Sequence, residues 1–314
     1  MLSVQRAVRV ESFEHAVLCS VLAGTLALRD GSFTANPESA VHAGLLHDIG
    51  EMYLNPENLR YGSEKDTGQW LEMAKHPAIG ASLIKQFTNC PAEVWQAVHE
   101  HHERLDGSGY PQGLTDVALS PLGRLLSLVE AVCGILKAPD NQGRRVKLAV
   151  SFIAGEFDPQ LVRVMLAPVN ESLAAKVALP ASFDQTAAID RARSISQCLE
   201  AASRHLKSVV PSSLTVDKMS GVVEFFRRRV AKLQLSWAAT GIDTYFVANR
   251  LPSSPEEDEA SYLDLDVASH ELKWRMRSLA RHVGYMLRNL PPPIPSTLMA
   301  AIAVLEAESL PLDQ

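Results

Sequence analysis

The chain has 314 residues, of which 46% are hydrophobic and 21% are charged. This length is sufficient for two domains of ordinary size, each with its own core, and the composition is typical of a soluble globular protein. The formal net charge of -6 argues against a duplex nucleic acid as partner, because such binding depends mainly on neutralising phosphates. A small anionic substrate remains compatible with this charge if metal ions supply the positive charge.

The sequence contains no uninterrupted apolar run of about eighteen residues, the length that is needed to cross a bilayer. We therefore expect a cytoplasmic protein without a membrane partner. The apolar stretch 16–28 follows two arginines, as in a secretory leader, but Glu11 and Glu14 interrupt the cationic region and favour a folded helix. The cysteines form no CxxC pair, which argues against a disulfide framework or a cysteine zinc site. We therefore expect reduced thiols in a core at Cys19, Cys90, Cys133 and Cys198.

Apolar residues follow the helical period through almost the whole chain, and no stretch shows the sustained alternation of a half-buried strand. The predicted fold is therefore all-α, with an HD-type helical core followed by a C-terminal helical bundle. Glycine and proline residues mark the ends of the predicted helices. In chain order, the helices of the first half are predicted at about 4–28, up to 47, 77–84, 91–102 and 122–129.

The second half is predicted to be a separate domain. Pro168 and Pro180 bracket a short helical piece, and the predicted domains are 1–168 and 169–314. The long apolar helix faces of the second domain are compatible with dimerisation, sensing of a small molecule or docking of a partner, and we expect a homodimer through them. Its helical patterns lie at about 184–209, 214–240 and 256–289, before a stop at 291–293 and a short last helix.

Side chains that bind metal ions are concentrated in the first half. His47 and Asp48 stand side by side at the end of an apolar helix, where burying both without a partner would be costly. A metal ion removes this cost, because imidazole and carboxylate suit manganese, iron and zinc. Glu11 and His15 are four residues apart on one helix face and could meet one cation, although an ordinary surface pair fits this spacing nearly as well.

Three more histidines extend this pattern. His76 stands at a helix start, before Pro77 in the first turn, where its missing N–H costs nothing. His101 and His102 end another helix and precede a glycine-rich loop, which can approach a phosphate through its backbone N–H groups. The Gly-Tyr-Pro sequence at 109–111 would by itself only be a good turn, but its position after the two histidines indicates the rim of a site.

Together these residues resemble the HD-GYP domains of the HD phosphohydrolase superfamily, which are all-helical, metal-dependent cyclic di-GMP phosphodiesterases. The resemblance covers about residues 3–167, and the second half resembles no family that we identify. The motifs follow the family's order and spacing. They are His47-Asp48-Ile49-Gly50, His76-Pro77-Ala78-Ile79-Gly80, the segment from His101-His102 through Gly109-Tyr110-Pro111 to Gly113-Leu114, and Phe157-Asp158-Pro159.

The resemblance implies two divalent cations bridged by Asp48, with iron or manganese expected first and zinc as a further option. Glu11 matches a glutamate that holds a third metal in some members. His47 and Asp48 would form the catalytic centre, where two cations activate a water for in-line attack on a phosphodiester. The implied ligands are His15, His47, Asp48 and Glu130 for one metal, and Asp48, His76, His101 and His102 for the other. The residues expected to contact a cyclic dinucleotide are Gly107, Gly109, Tyr110, Pro111, Arg144 and Arg145.

Several positions depart from the family pattern. Glu51 replaces the usual lysine and puts an anion near the phosphate. Glu130 replaces an aspartate and is one methylene longer, and Cys133 occupies the following acidic position. The basic segment that often comes next is absent, which leaves Lys137 and the two arginines at 144–145 as substitutes. The nearby His42 and His99 are expected to be supporting or surface residues, with His99 as an alternative to His101.

These features support three hypotheses. The first is an enzyme that hydrolyses cyclic di-GMP, since every ligand position holds a competent donor. The second is a hydrolase of another phosphate ester, which Glu51 and the missing basic segment favour. The third is a catalytically quiet domain that holds metal or nucleotide and signals to the second half, as Glu51, Glu130 and Cys133 suggest. A signalling protein docking at the Gly-Tyr-Pro loop is a further expected partner.

Overall fold

The computed structural model describes residues 1–29, 36–59, 67–137, 142–172, 183–209, 217–241, 255–288 and 290–307. Over these ranges the regular structure is helical, with one isolated bridge between Asp106 and Thr115 and no strand. The all-α prediction is thereby confirmed. The contacts divide the chain into two compact units, Met1–Ala174 and Ala175–Gln314. The helix that contains Pro168 continues through the boundary predicted at 168/169.

Asparagine, serine and proline residues start two of the helices of the first unit. The Asn36 side chain accepts a hydrogen bond from the Glu38 N–H at 2.9 Å, and the Ser120 hydroxyl accepts one from the Gly123 N–H at 3.0 Å. In each case a proline occupies the first helical position. The helices are α1 (Leu2–Val8), α2 (Val10–Arg29), α3 (Pro37–Leu46), α4 (Thr67–Met73), α5 (His76–Phe87), α6 (Ala92–Glu100), α7 (Pro121–Leu136), α8 (Gln142–Ser151) and α9 (Pro159–Ser172), with 3₁₀ turns at Ile49–Tyr53, Pro56–Leu59 and Asp116–Ala118.

Helix α2 is part of the core of the first unit and packs closely on α3. Its buried residues recur every three to four positions and are mostly small, so the two backbones approach each other. A Cβ atom at Gly44 of α3 would lie 2.7 Å from the Ser20 backbone, which only glycine permits. Among the described residues, α2 alone meets the length and hydropathy of a membrane span, and 50% of that window is buried inside the fold.

The second unit is a bundle in which α10 packs against the other three described helices. Asp184 starts α10 by accepting a hydrogen bond from the Ala187 N–H at 2.9 Å. The Trp237 indole donates to the Ser196 hydroxyl at 2.9 Å and ties α11 to α10. The helices are α10 (Gln185–Lys207), α11 (Asp217–Ala239), α12 (Pro255–Arg288) and α13 (Ser296–Ala307).

Candidate metal centre

The turn after α3 places His47 and Asp48 against the start of α5. His47 follows the last residue of α3, and Asp48 precedes the 3₁₀ turn Ile49–Tyr53. A Cβ atom at Gly50 would lie 2.1 Å from the carbonyl oxygen of His76, so a glycine is required for this close approach. The short turn therefore brings a histidine and an aspartate from one segment next to the first residue of another helix.

Three further segments bring their side chains to the same place. His15 lies on α2 and Glu130 on α7, whereas His101 and His102 follow the last turn of α6. The potential ligand atoms form two groups, and within each group all the atoms lie within 4.8 Å of one another. The first group is His15, Cys19, His47 and Glu130, and the second group is Asp48, His76, His101 and His102.

The first group is built around the Glu130 carboxylate. Its Oε2 atom lies 2.8 Å from His15 Nε2 and 3.1 Å from His47 Nε2. His47 Nε2 also lies 3.2 Å from Asp48 Oδ2. Nitrogen and oxygen atoms of two helices and one turn therefore lie close enough together to hold one cation.

The second group uses the other oxygen of Asp48. Asp48 Oδ1 lies 3.3 Å from His76 Nε2 and 3.7 Å from His101 Nε2, and these two nitrogens are 3.0 Å apart. The ring centroids of His101 and His102 are 4.1 Å apart. Because one oxygen of Asp48 faces each group, its carboxylate has the geometry of a bridging ligand.

The histidines are oriented so that Nε2 faces the cluster. His47, His76 and His101 each place Nδ1 2.5–2.7 Å from the carbonyl oxygen three residues earlier, which fixes Nδ1 as the protonated nitrogen. In the neutral imidazoles the Nε2 atoms carry a lone pair, and that of His47 is fully buried 3.1–3.2 Å from the Glu130 and Asp48 carboxylates. Lone pairs pointing at each other across 3.0 Å need a proton or a cation between them, so these residues fit divalent metal ions.

The charges of the buried groups agree with this assignment. Burial by itself would raise the pKa of Asp48 and of Glu130, but the neighbouring histidines outweigh it and hold both pKa values well below the usual range. Burial and neighbouring imidazoles lower the pKa of His101 to about 3 and that of His102 well below its usual value. Burial by itself would lower the pKa of His47 and of His76, but the Asp48 carboxylate outweighs it and raises both. Without metal, protons on these two imidazoles therefore offset the carboxylates, and a bound cation would displace them.

The Gly-Tyr-Pro loop is held against the second group by a buried carboxylate. Glu103 accepts hydrogen bonds from the backbone N–H groups of residues 112, 113 and 114, at 2.6, 3.2 and 2.9 Å. The Tyr110 ring stacks on the His102 ring with centroids 4.6 Å apart, and the Trp70 ring meets Tyr110 edge-on at 5.5 Å. The loop therefore packs directly on a potential metal ligand.

Other predicted site residues lie elsewhere. The Glu11 side chain is exposed on α2 and belongs to neither group, although it is four residues from His15. Arg144 and Arg145 are half-buried on α8 and are outside both groups. His99 is half-buried on α6, and His101 rather than His99 takes part in the second group.

Cys19 is the member of the two groups that the sequence interpretation missed. The sequence interpretation places all four cysteines in a core, and Cys19 is fully buried, but its thiol faces His15 and Glu130. The available signal was its position four residues after His15, which puts both side chains on one face of α2.

Glu51 is buried close to the centre rather than open to solvent. Its Oε2 atom lies 3.1 Å from Arg9 Nη1 and accepts a hydrogen bond from the Ser12 hydroxyl at 3.3 Å, and Gln5 donates to Ser12 at 3.1 Å. Burial and the charge of Asp48 raise the pKa of Glu51 to about 7. The anion expected from the sequence is thus partly neutralised by protonation and by Arg9.

The segment that carries both groups matches a known family. Residues 12–133 match the model of the HD domain. This segment is therefore similar to HD domains. The match covers His15 through Glu130, and thus every potential ligand of the two groups.

Proteins similar to the HD domain and its surroundings include three curated bacterial enzymes. The chain is 33% identical over 136 residues to the cyclic di-GMP phosphodiesterase PA4108 of Pseudomonas aeruginosa, with 41% of this chain and 32% of that protein covered. It is 27% identical over 132 residues to the 3'3'-cGAMP-specific phosphodiesterase 1 of Vibrio cholerae, with 42% and 30% covered. It is 28% identical over 184 residues to the cyclic di-GMP phosphodiesterase response regulator RpfG of Xanthomonas campestris, with 50% and 48% covered. The chain therefore matches about a third to a half of the length of these relatives.

Proposed function

We propose that this chain is a metal-dependent phosphodiesterase that hydrolyses cyclic di-GMP to linear pGpG or to GMP. The observation that carries the proposal is the position of Asp48, whose two carboxylate oxygens face two separate groups of buried imidazole and carboxylate ligands. Relatives of the HD domain are named as phosphodiesterases of cyclic di-GMP or of 3'3'-cGAMP, which supports a cyclic dinucleotide as substrate. Two metal ions, rather than three, fit the two groups, because Glu11 lies outside both.

Bound at these positions, two divalent cations would supply an acidified water and neutralise the charge of a phosphodiester. The side chains of this chain hold the geometry. Asp48 fixes the spacing between the two positions, and the backbone carbonyls behind His47, His76 and His101 keep each Nε2 directed inward. Tyr110 packs on His102, so the loop 107–111 is placed beside the second group, where it can contact the substrate.

The test uses the full chain loaded with manganese or with ferrous iron and supplied with cyclic di-GMP or 3'3'-cGAMP, with linear product quantified by chromatography. We expect product from cyclic di-GMP, and product from 3'3'-cGAMP alone would favour the second hydrolase hypothesis. Asp48→Asn keeps the size of the side chain but removes the bridging charge, and it should lower turnover at least about 100-fold. Asp190→Asn, at an exposed position on α10, is the matched control and should leave turnover unchanged.

Absence of product from protein that holds two equivalents of metal would reject the enzymatic proposal. It would then favour a catalytically quiet metal-binding or nucleotide-binding signalling domain, for which Glu51 is the specific supporting observation. Against that alternative, Arg9 lies beside Glu51 and offsets its charge, so the anion alone does not close the site to a phosphate. Product from a different phosphate ester in a substrate panel would favour the second hydrolase hypothesis.

For the second unit we propose a homodimer interface on α11 and α12, supported by the exposure of Leu235 and Trp274, which are 71% and 56% accessible. Analytical ultracentrifugation of the wild type and of Leu235→Ser tests this.

The expected docking of a signalling protein at the Gly-Tyr-Pro loop and the cytoplasmic location stay as proposals. The location is supported by the burial of half of the apolar window of α2.

A further inference from the structure

Cys19 brings a sulfur atom into the first group of potential ligands, which otherwise offers only nitrogen and oxygen. Its thiol is completely buried on the face of α2 that also carries His15. Its Sγ atom lies 3.7 Å from His15 Nε2 and 3.7 Å from Glu130 Oε2. Both partners are members of the same group, and all the potential ligand atoms of the group lie within 4.8 Å of one another.

These distances fit a shared cation. Zinc binds sulfur at about 2.3 Å and nitrogen at about 2.0–2.1 Å, and a tetrahedral arrangement then separates the two ligand atoms by roughly 3.5 Å. The observed separation of 3.7 Å from Cys19 Sγ to His15 Nε2 is within a few tenths of an ångström of that value.

We propose that Cys19 is a thiolate ligand of the metal bound by His15, His47 and Glu130, and that it makes this position selective for zinc or ferrous iron over manganese. The inference rests on the metal binding in the proposed function. Thiolate is a soft ligand that favours zinc and iron, whereas carboxylate and water suffice for manganese. The second group contains no cysteine and should not show this preference.

The thiol must lose its proton to bind. Without a cation it stays neutral, because the hydrogen bond between the thiols of Cys19 and Cys133, together with burial and the charge of Glu130, raises its pKa above the usual value. Coordination to a divalent cation deprotonates such a thiol, and the proton passes to solvent. The S–H bond is replaced by a sulfur–metal bond without any change of oxidation state.

X-ray absorption spectroscopy of the full chain, loaded with two equivalents of zinc as verified by elemental analysis, tests the proposal. We expect a sulfur scatterer at about 2.3 Å and, with both positions filled, about half a sulfur per zinc. Cys19→Ser should remove it, whereas Cys133→Ser and the remote Cys198→Ser should retain it. Zinc affinity at one of the two positions should fall at least about tenfold in Cys19→Ser, and manganese affinity should change much less.

A wild-type spectrum with two zinc ions but no sulfur overturns the inference and leaves the proposed metal binding intact. Loss of sulfur in Cys133→Ser but not in Cys19→Ser also overturns it. If the wild type binds no zinc, iron or manganese, both this inference and the proposed function fail. The presence or absence of sulfur is measured on the wild type, so the test holds even if Cys19→Ser does not fold.

Discussion

Replacing Glu51 with glutamine should stabilise the metal-free protein, and the gain should grow with pH. Glu51 is 8% exposed, and its pKa is raised from 4.5 to about 7 by burial and by the charge of Asp48. Because the folded pKa lies above the unfolded one, the protonated carboxyl is compatible with folding, and stability is lost as the pH rises from about 4.5 through about 7. Glutamine keeps the shape without the charge and removes this loss.

The magnitude follows from the shift. A difference of about 2.5 pKa units at about 1.4 kcal/mol per unit gives at most about 3 kcal/mol at pH 8, where Glu51 is ionised in both states. At pH 5 the folded carboxyl is protonated, and the gain should be below about 1 kcal/mol. Arg9 lies 3.1 Å from the carboxylate and already contributes to the pKa value of about 7. The figure of about 3 kcal/mol therefore includes the loss of the Arg9–Glu51 ion pair in the variant.

The assay is urea unfolding of chelator-treated protein at pH 5, 6, 7 and 8, with the difference between variant and wild type in the free energy of unfolding as the readout. The control is Glu224→Gln on α11, whose side chain is 55% exposed beside Arg228 and should contribute at most about 1 kcal/mol at any of these pH values. A stability difference for Glu51→Gln that is independent of pH, or a destabilisation at pH 8, would refute the reasoning, because Arg9 would then hold Glu51 as a favourable ion pair.

Two further substitutions test how the centre is assembled. Gly50→Ala would put a Cβ atom 2.1 Å from the His76 carbonyl oxygen. It should destabilise the protein by about 2–4 kcal/mol in thermal unfolding, whereas Gly221→Ala, with nothing within 4 Å of the new atom, should be neutral or stabilising; equal effects would contradict the packing argument. Glu103→Gln weakens three backbone hydrogen bonds to a carboxylate and should cost about 1.5–3 kcal/mol. It should also speed protease cleavage in 107–114 at unchanged metal content, and an unchanged cleavage rate would show that another contact holds the loop.

The sequence by itself determined the fold class and most helix positions. Helical periodicity, proline at first turns and capping residues are local features, so the patterns at 184–209, 214–240 and 256–289 agree with helices α10 to α12 to within a few residues. The sequence also indicated which residue types could bind metal, because burying histidine and aspartate without a partner costs free energy. The resemblance to HD-GYP domains then grouped His15, His47, Asp48, His76, His101, His102 and Glu130, which the structure brings together.

Only the tertiary structure decided which atoms share a site and what their charges are. Cys19 faces Glu130 across 111 residues of chain, and Glu51 meets Arg9 and Ser12 of the opening helices. Glu11, on the same helix as His15, is turned to solvent. Spacing along one helix defines a face, but packing against other helices decides which part of that face is buried. The pKa of a carboxyl likewise depends on burial and on charges that distant segments supply, and no local pattern contains that information.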